Sequence, residues 1–497
     1  MAFQRPGVYV QETLNPVQST VGPNSDSLGA FIGANDRGPT RPTLVTSWSD
    51  YTTKFGTWNT TASNALPLAV YMFFSNGGSR AYVTRVVNTA VKATRSFNDT
   101  AGSPNPTLSL TAVNEGTWGN SINVTFSAST TAGLFDATIY YGGNTDANIV
   151  EKFTDLSMTA TSTRYAVNVI NNGSAYVTAT DLGSASTGAT RNPSTVTSNQ
   201  ALSTGTNGSA ITSITSYSMF DTIKQSLILN VPGFTDATTV NAAISYAAAR
   251  EDVFVVVDGI VDTVVNQLSL AASYTASSQA AVYYPQITIA DPTVGVGGAS
   301  NSTLLLGAGA AVVGLYSATD ASRGVFKAPA GLQARLAGAV AVPVLTNAEL
   351  DSLNSSAAPV NAIKFVSGTG IVVMGAKTLK PGYIDKYVPV RRTLIYLRKA
   401  LTDLTEFAIF EPNDQALWRR LDSTVSSFLT QFWAQGGLSG AAPSSAFFVK
   451  VDATNNPQSS IDNGEVHIEV GVALQRPAEF VIIKIGQFDG GTTVTVA

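Results

Sequence analysis

The sequence has no cysteine and a single histidine, His467. The first absence excludes disulfides and thiolate metal sites, and fits folding in a reducing cytosol. The second leaves one imidazole to serve any Ser-His-Asp, Cys-His or histidine–metal chemistry in 497 residues. Charge is also scarce. Charged residues make up 12% of the chain, about half the share usual in soluble globular domains. The net charge is −4 and no long basic run occurs, so a direct nucleic-acid partner is not expected. The longest apolar run, Leu304–Tyr316, is too short to span a bilayer and predicts a buried helix, so membrane insertion is not expected either. Arg5 is not followed by an apolar stretch of the secretory type.

What is present is 44% hydrophobic residues and 42 glycines, with Ser, Thr and Asn supplying most of the polarity. Such a sparsely charged surface suits packing against neighbouring chains. The length suffices for about three domains at ~150 residues each. Residues 1–27 read as an extended arm: Val8, Tyr9 and Val10 form a short strand between Pro6 and Pro16, with no adjacent hairpin partner. A lone strand is unstable in water, so this one must join a distant part of its own chain or another chain.

Residues 28–92 then alternate strand and helix. "LGAFIGANDRGP" reads as a buried strand, Ser47 to Phe55 as a helix, and Asn64 to Ser75 as a second helix capped by Asn64, with "RAYVTRVV" returning as a strand. Residues 93–215 change texture to short alternating runs between Gly, Ser, Thr and Asn turns, which predicts a β-rich insertion. The strand–helix rhythm resumes over 216–375, with a helix at Ala237–Arg250, the buried strand "VFVVVD" and "AAVYYPQITIAD". This alternation predicts a largely parallel sheet with helices on its faces, and "LAGAVAVPVL" (336–345) is expected to pack inside it.

In residues 376–497, Leu394, Leu397, Leu401, Leu404 and Ala408 step by three and four along one helix. Asn413 is expected to cap a second, striped by Leu417, Leu421, Val425, Phe428 and Phe432 and stopped by Gly436-Gly437. Over 465–474, Val466, Ile468, Val470, Val472 and Leu474 alternate with Glu465, His467 and Glu469 as a half-buried strand. "EFVIIKI" at 479–485 is apolar on both faces, as in a strand with neighbours on each side. The fold class expected is therefore mixed α/β and α+β in several domains.

The α/β rhythm invites a test for catalysis. His467 stands between Glu465 and Glu469, and the reading adopted is an exposed strand face with cross-strand charge pairing. A Glu-His-Glu metal face would lack any further histidine. No G-x-S-x-G elbow and no phosphate-binding G-x-x-x-x-G-K-[ST] loop occurs. "GAGAAVVG" at 307–314 lacks the third glycine of a dinucleotide fingerprint at the right spacing, so tight helix packing by small residues explains it better. Asp258 precedes Gly259 and is read as a turn former. Asp320, Arg323 and Lys327 are read as a solvated or inter-subunit ion-pair loop. Arg419 and Arg420 lie off the apolar stripe of their helix, a solvated face or a basic contact for an acidic partner. No cofactor is implied.

Several stretches, in order along nearly the whole chain, resemble bacteriophage contractile-tail sheath proteins. They are "PGVYVQE", "FIGANDRGP", "FFSNGGSRAYVTRV", "EGTWGNSINV", "TDASRGVFKAPAG", "GIVVMGAKTL", "VPVRRTLIYLRKAL", "FEPNDQALWRRL" and "GEVHIEVGVALQRPAEFVIIKI". One departure is "NSTLLLGAGAAVVGLY", where the family often has a Pro-Pro-Ser-Gly-like stretch. The resemblance implies a central subtilisin-like α/β domain without catalytic residues, a β-rich inserted outer domain, a C-terminal α+β domain and extended terminal arms. It also implies a homo-oligomer, a helical sheath of stacked rings around an inner tail tube protein, capped by baseplate and tail terminator proteins. Such a sheath sits in the virion tail and is assembled in the host bacterial cytoplasm. Subunits would be tied by Val8, Tyr9 and Val10 as a donated strand, with Phe480, Val481, Ile482, Ile483 and Ile485 pairing in or beside the receiving sheet. Arg419 and Arg420 are candidates for the tube contact. A tail-derived injection device would share these features. A Ser/Thr-rich surface adhesin would need an export route, and a hydrolase would need a histidine near Asp258 or a metal.

Overall fold

The computed structural model describes residues 28–59, 64–294, 302–380, 382, 385–479, 488–489 and 492–493. The expected N-terminal arm (1–27) and the strand 480–485 lie outside the described residues.

The chain opens with β1 (Leu28–Ala34), β2 (Thr43–Val45), α1 (Trp48–Phe55), α2 (Ala65–Ser75) and β3 (Ala81–Val86). The Ser47 hydroxyl accepts from the Asp50 N–H and starts α1. Asn64 does not cap α2 with its side chain. Its carboxamide oxygen instead accepts from the Asn59 N–H, so a nearer loop donor takes it.

The next segment holds β4 (Thr94–Asn98), β5 (Pro106–Ala112), β6 (Ile122–Ala128), β7 (Phe135–Tyr141), β8 (Ile149–Leu156), α3 (Ala166–Gly173), β9 (Val177–Asp181) and β10 (Val196–Ala201). These strands form two antiparallel sheets, β4-β5-β9 and β10-β6-β7-β8. One hydrophobic cluster, from Ala93 to Leu202, draws on this segment alone. Bridges Asn88–Gly208 and Val91–Thr206 draw its two ends together. Arg37, from the loop after β1, lies against the faces of Trp118 and Tyr176 at 4.9 and 4.3 Å.

The strand–helix order then returns through β11 (Leu227–Asn230), α4 (Ala237–Arg250), β12 (Val253–Asp258), α5 (Val264–Ala272), β13 (Ala280–Tyr284), β14 (Ile287–Ala290), β15 (Thr303–Leu306), α6 (Gly309–Arg323), β16 (Ala339–Ala341), α7 (Asn347–Ser355), β17 (Val360–Val366) and β18 (Gly370–Val373). Eight strands make one sheet in the order β18-β17-β13-β12-β11-β1-β3-β2. It is parallel from β17 to β3, with antiparallel strands at both ends.

Alternate residues of each central strand enter two cores. Phe31, Ile228, Phe254, Val256, Ala281 and Tyr283 pack with α2 and α6. Ala30, Ile32, Leu229, Val255, Val257 and Val282 pack on the other face with α4, α5 and α7. That is why these strands read as continuous apolar runs. Burying each large side chain contributes roughly 1.5–3 kcal/mol.

Two expectations fail in this part. Leu304–Tyr316 is not one helix. Residues 303–306 form β15, which pairs with β14, and the helix starts only at Gly309, where its N–H bonds to Asp258. Nor does 336–345 pack inside. Leu336 is buried, but Val340 and Val344 are 57% and 93% exposed. β16 is the outer strand of the small sheet β15-β14-β16, and Pro343 has no N–H to continue a ladder.

The C-terminal part holds α8 (Val388–Thr405), α9 (Gln415–Ala434), β19 (Phe447–Lys450) and β20 (Glu469–Val472). α8 starts earlier than the leucine stripe suggested, and it buries Arg391, Arg392 and Ile395 alongside Leu397. Asp414, not Asn413, caps α9, accepting from the N–H groups of Ala416 and Leu417. The Asn413 carboxamide oxygen instead accepts from the Trp418 indole.

Candidate functional site

The strand expected over 465–474 is shorter: β20 begins at Glu469. Residues before it are held by side chains rather than by a ladder. The His467 N–H donates to Asn456 Oδ1, and its carbonyl accepts from Asn455 and Asn456. The ladder pairs Phe447 with Val472 and Val449 with Val470. Those four, with Leu474, pack on Val425, Leu429 and Phe432 of α9. Val466 and Ile468, expected on the same stripe, are not part of that cluster. Each strand of this two-stranded ladder has one strand partner among the described residues. Just past β20 the antiparallel bridge Leu438–Leu474 and the bond from the Ser439 N–H to the Ala473 carbonyl continue the pairing, and among the described residues no further strand covers the outer edges of β19 and β20, the geometry that accepts an added strand. Val8, Tyr9, Val10, Phe480, Val481, Ile482, Ile483 and Ile485 lie outside the described residues.

Arg419 and Arg420 are both exposed on α9, as expected from their place off the stripe. The Arg420 guanidinium lies over the Phe407 ring at 4.2 Å. At the same corner Phe410 is 88% exposed and has a φ of 65°, a left-handed backbone that a bulky side chain rarely adopts.

His467 is exposed, and its Nε2 is 3.2 Å from Glu465 Oε2. The charge partner is therefore on the same segment and not across a ladder. Among the described residues no three His, Cys, Asp or Glu side chains converge as a metal site, and no helix is long and apolar enough to cross a membrane.

Asp258 is more than a turn former. It ends β12 fully buried, and its Oδ1 accepts from the Gly309 N–H at 2.7 Å and faces Asn230 Nδ2 at 3.5 Å. The carboxylate thus sits on the positive end of α6. Burial raises its pKa to about 6, against the lowering effect of its hydrogen bonds to Gly309, Asn230 and Gly233. A Cβ on Gly307 or Gly309 would overlap this carboxylate, which explains the small residues at 307–309. Gly314 meets the Phe73 carbonyl of α2 in the same way. "GAGAAVVG" is thus packing, as expected.

Asp320 is not in a solvated loop. It lies in α6, and Arg392 of α8 clasps it with both guanidinium nitrogens, Nη1 to Oδ1 at 2.9 Å and Nη2 to Oδ2. Both side chains are almost fully buried. Tyr316 lies under the guanidinium at 4.6 Å and shares a hydrogen bond with Tyr283. Arg398 of the same helix reaches Glu251 at the end of α4. Arg391 is 3.8 Å from Asp385. Periodicity cannot reveal these pairs, because a charge on a helix reads as a solvated face whatever it meets. These groups hold elements together, and none of them pairs a nucleophile with a base.

Residues 386–488 match the family model described as the phage tail sheath C-terminal domain. The tail sheath protein of Vibrio phage KVP40 is 28% identical over 177 residues, 35% of this chain. That match spans only a quarter of the relative's length. Among solved structures, the sheath complex of an extracellular contractile injection system in its contracted state covers 98% of this chain and 99% of its own, with a TM-score of 0.59 and 21% identity. The helical sheath of the anti-feeding prophage, also contracted, gives 98% and 100%, a TM-score of 0.57 and 22% identity. The sheath tail protein of Listeria innocua gives 91% and 96%, a TM-score of 0.61 and 15% identity. At these identities the structures establish the fold.

Proposed function

We propose that this chain, whose residues 386–488 match the phage tail sheath C-terminal domain and whose fold is that of contractile sheath proteins, is a structural subunit of a contractile sheath. It polymerises helically around an inner tube and contracts to drive that tube through the host envelope. The observation that carries this reading is the two-stranded ladder β19–β20 on α9 inside that matched segment. An arm strand from a neighbour (Val8, Tyr9, Val10) adds to it by main-chain hydrogen bonds, and Phe480 to Ile485 pairs in or beside the same sheet. The link between arm and body lets globular parts slide while the tether holds.

The energy is stored during assembly, and contraction exchanges one set of inter-subunit contacts for a better one. Nucleotide chemistry and catalysis have no part in it. The parallel sheet with helices on both faces supports a subtilisin-like central domain over 28–92 and 216–375. The separate core from Ala93 to Leu202 supports a β-rich outer domain inserted at 93–215. The C-terminal domain from 376 faces the tube, with Arg419 and Arg420 in the contact. Baseplate and terminator proteins close the ends, and assembly takes place in the bacterial cytoplasm. The likeness to an extracellular contractile injection system over 98% of the chain favours a second reading, the sheath of a tail-derived contractile injection device.

Deleting residues 2–20 tests the tether. The truncated chain is expected to stay folded, with an unchanged circular dichroism spectrum, and to form no tubes in electron micrographs where the full chain forms striated cylinders. Ordered tubes from the truncated chain would sink the proposal.

A further inference from the structure

The central sheet and the separate core from Ala93 to Leu202 are joined by two stretches of backbone that run side by side. One leaves β3 through residues 87–92 and the other returns through 203–209. They are laced together. The Val91 and Thr206 N–H groups each donate to the other's carbonyl at 3.0 Å, and the Ser209 N–H donates to the Asn88 carbonyl at 2.8 Å. Each stretch carries one threonine with a left-handed backbone, Thr89 at a φ of 58° and Thr204 at 69°. A β-branched residue rarely adopts that conformation and keeps it only where the surrounding contacts hold it. Thr89 lies between the bonded residues Asn88 and Val91, and Thr204 between Ser203, which pairs with Thr94, and Thr206. Relaxing either threonine redirects the chain and breaks the Val91–Thr206 bonds.

Arg37 bridges the same two bodies. It comes from the loop after β1 and enters a cup of three aromatic rings. Its guanidinium lies 4.3 Å from the Tyr176 ring centre and 4.9 Å from that of Trp118. The Tyr141 ring closes the cup, 6.2 Å from Trp118 and 5.9 Å from Tyr176. Arg37 is 7% exposed, and among the described residues its buried Nε–H has no hydrogen-bond acceptor. The rings rather than that donor position the guanidinium, and desolvation strengthens such contacts. Beside it, Arg85 of β3 donates from Nη1 to the Glu115 carbonyl at 2.8 Å.

We infer that the two connecting stretches are a strained hinge and that Arg37, seated between Trp118 and Tyr176, is its latch. While latched, the sheets of residues 94–201 keep one orientation on the central sheet. Once the latch is out, relaxation of Thr89 and Thr204 frees them to turn. The joint lies within one chain, so the inference holds whether or not the chain polymerises.

The test is hydrogen exchange of the full chain resolved by mass spectrometry, which reads transient opening as faster exchange. In Arg37→Ala, the peptides holding Val91 and Thr206 are expected to exchange about tenfold faster. Those of β7 and β12, one in each body, keep wild-type rates. Tyr176→Leu removes the other half of the contact and is expected to do the same, and the double variant adds nothing to the faster single. Should Arg37→Ala misfold, Tyr176→Leu carries the test. Adding Thr89→Gly and Thr204→Gly to whichever single variant is used removes the strain, and exchange is expected to return toward the wild-type rate. Unchanged exchange at Val91 and Thr206, an equal acceleration in β7 and β12, or an additive double variant overturns the latch. Failure of the glycine pair to slow exchange overturns the hinge.

Discussion

Replacing Asp320 by Asn keeps the shape of the side chain and removes its charge, which isolates what the pair with Arg392 does. At 2.9 Å and an effective dielectric constant of ~20, the two charges attract by ~6 kcal/mol. Taking both out of water costs several kcal/mol per ion, so the intact pair is worth little net. The single variant is different: Arg392 stays buried against Tyr316 with its counter-charge gone. The expected loss is about 3–5 kcal/mol. The double variant Asp320→Leu/Arg392→Met removes both charges and is expected to recover to within ~1–2 kcal/mol of wild type. Denaturant unfolding followed by near-ultraviolet circular dichroism reads the right region, since Tyr283 and Tyr316 lie in the cluster. A loss below ~1 kcal/mol in the single variant, or a double variant as unstable as the single, refutes the reasoning.

Asp258→Asn tests the buried carboxylate at the start of α6. A folded-state pKa raised to about 6, against ~3.9 unfolded, means that the protonated form favours the native state by ~3 kcal/mol. That stability is present below pH ~4 and is lost as pH rises through 6. The variant is therefore expected to melt above wild type at pH 7.5 and close to it at pH 4. A drop at pH 7.5 that is absent at pH 4 would show that the carboxylate's charge serves the fold and refute the reasoning. Gly314→Ala places a methyl against the Phe73 carbonyl, and overpacking of ~1–3 kcal/mol exceeds the ~1 kcal/mol gain in helix propensity. An unchanged or higher melting temperature would show slack between α2 and α6.

The elements most legible in the sequence are those whose pattern has one physical cause. "VFVVVD" is apolar throughout because β12 is covered on both faces, and Ala237–Arg250 has the expected bounds because Asp236 caps it. The failures share a different cause, tertiary partners that compete with local signals. Asn413 and Asp414 are both good caps, and the indole of Trp418 takes the first. "LAGAVAVPVL" is as apolar as the core strands, yet Val340 and Val344 face outward. Apolar character marks a wish for cover and does not say whose. Of the candidate site, the backing face of the ladder was legible, since Val470, Val472 and Leu474 all reach α9. The residues that fix its position were not. Asp258, Asp320 and Arg392 are ordinary polar letters until α6 and α8 bring them together.

Those same residues define a route for force. β19 and β20 pack on α9, and α9 packs on α8. Arg392 and Arg398 join α8 to α6 and α4, which flank the sheet on opposite faces. A pull on a strand added to the ladder would therefore load the whole parallel sheet through the Asp320–Arg392 pair, which excludes solvent. Salt screens exposed charges beyond a Debye length of ~10 Å at 0.1 M, and buried pairs far less. Ionic strength should then weaken exposed charge contacts of the chain while leaving its internal coupling intact. The proposed sheath role needs that separation, because in it whole subunits exchange neighbours without unfolding.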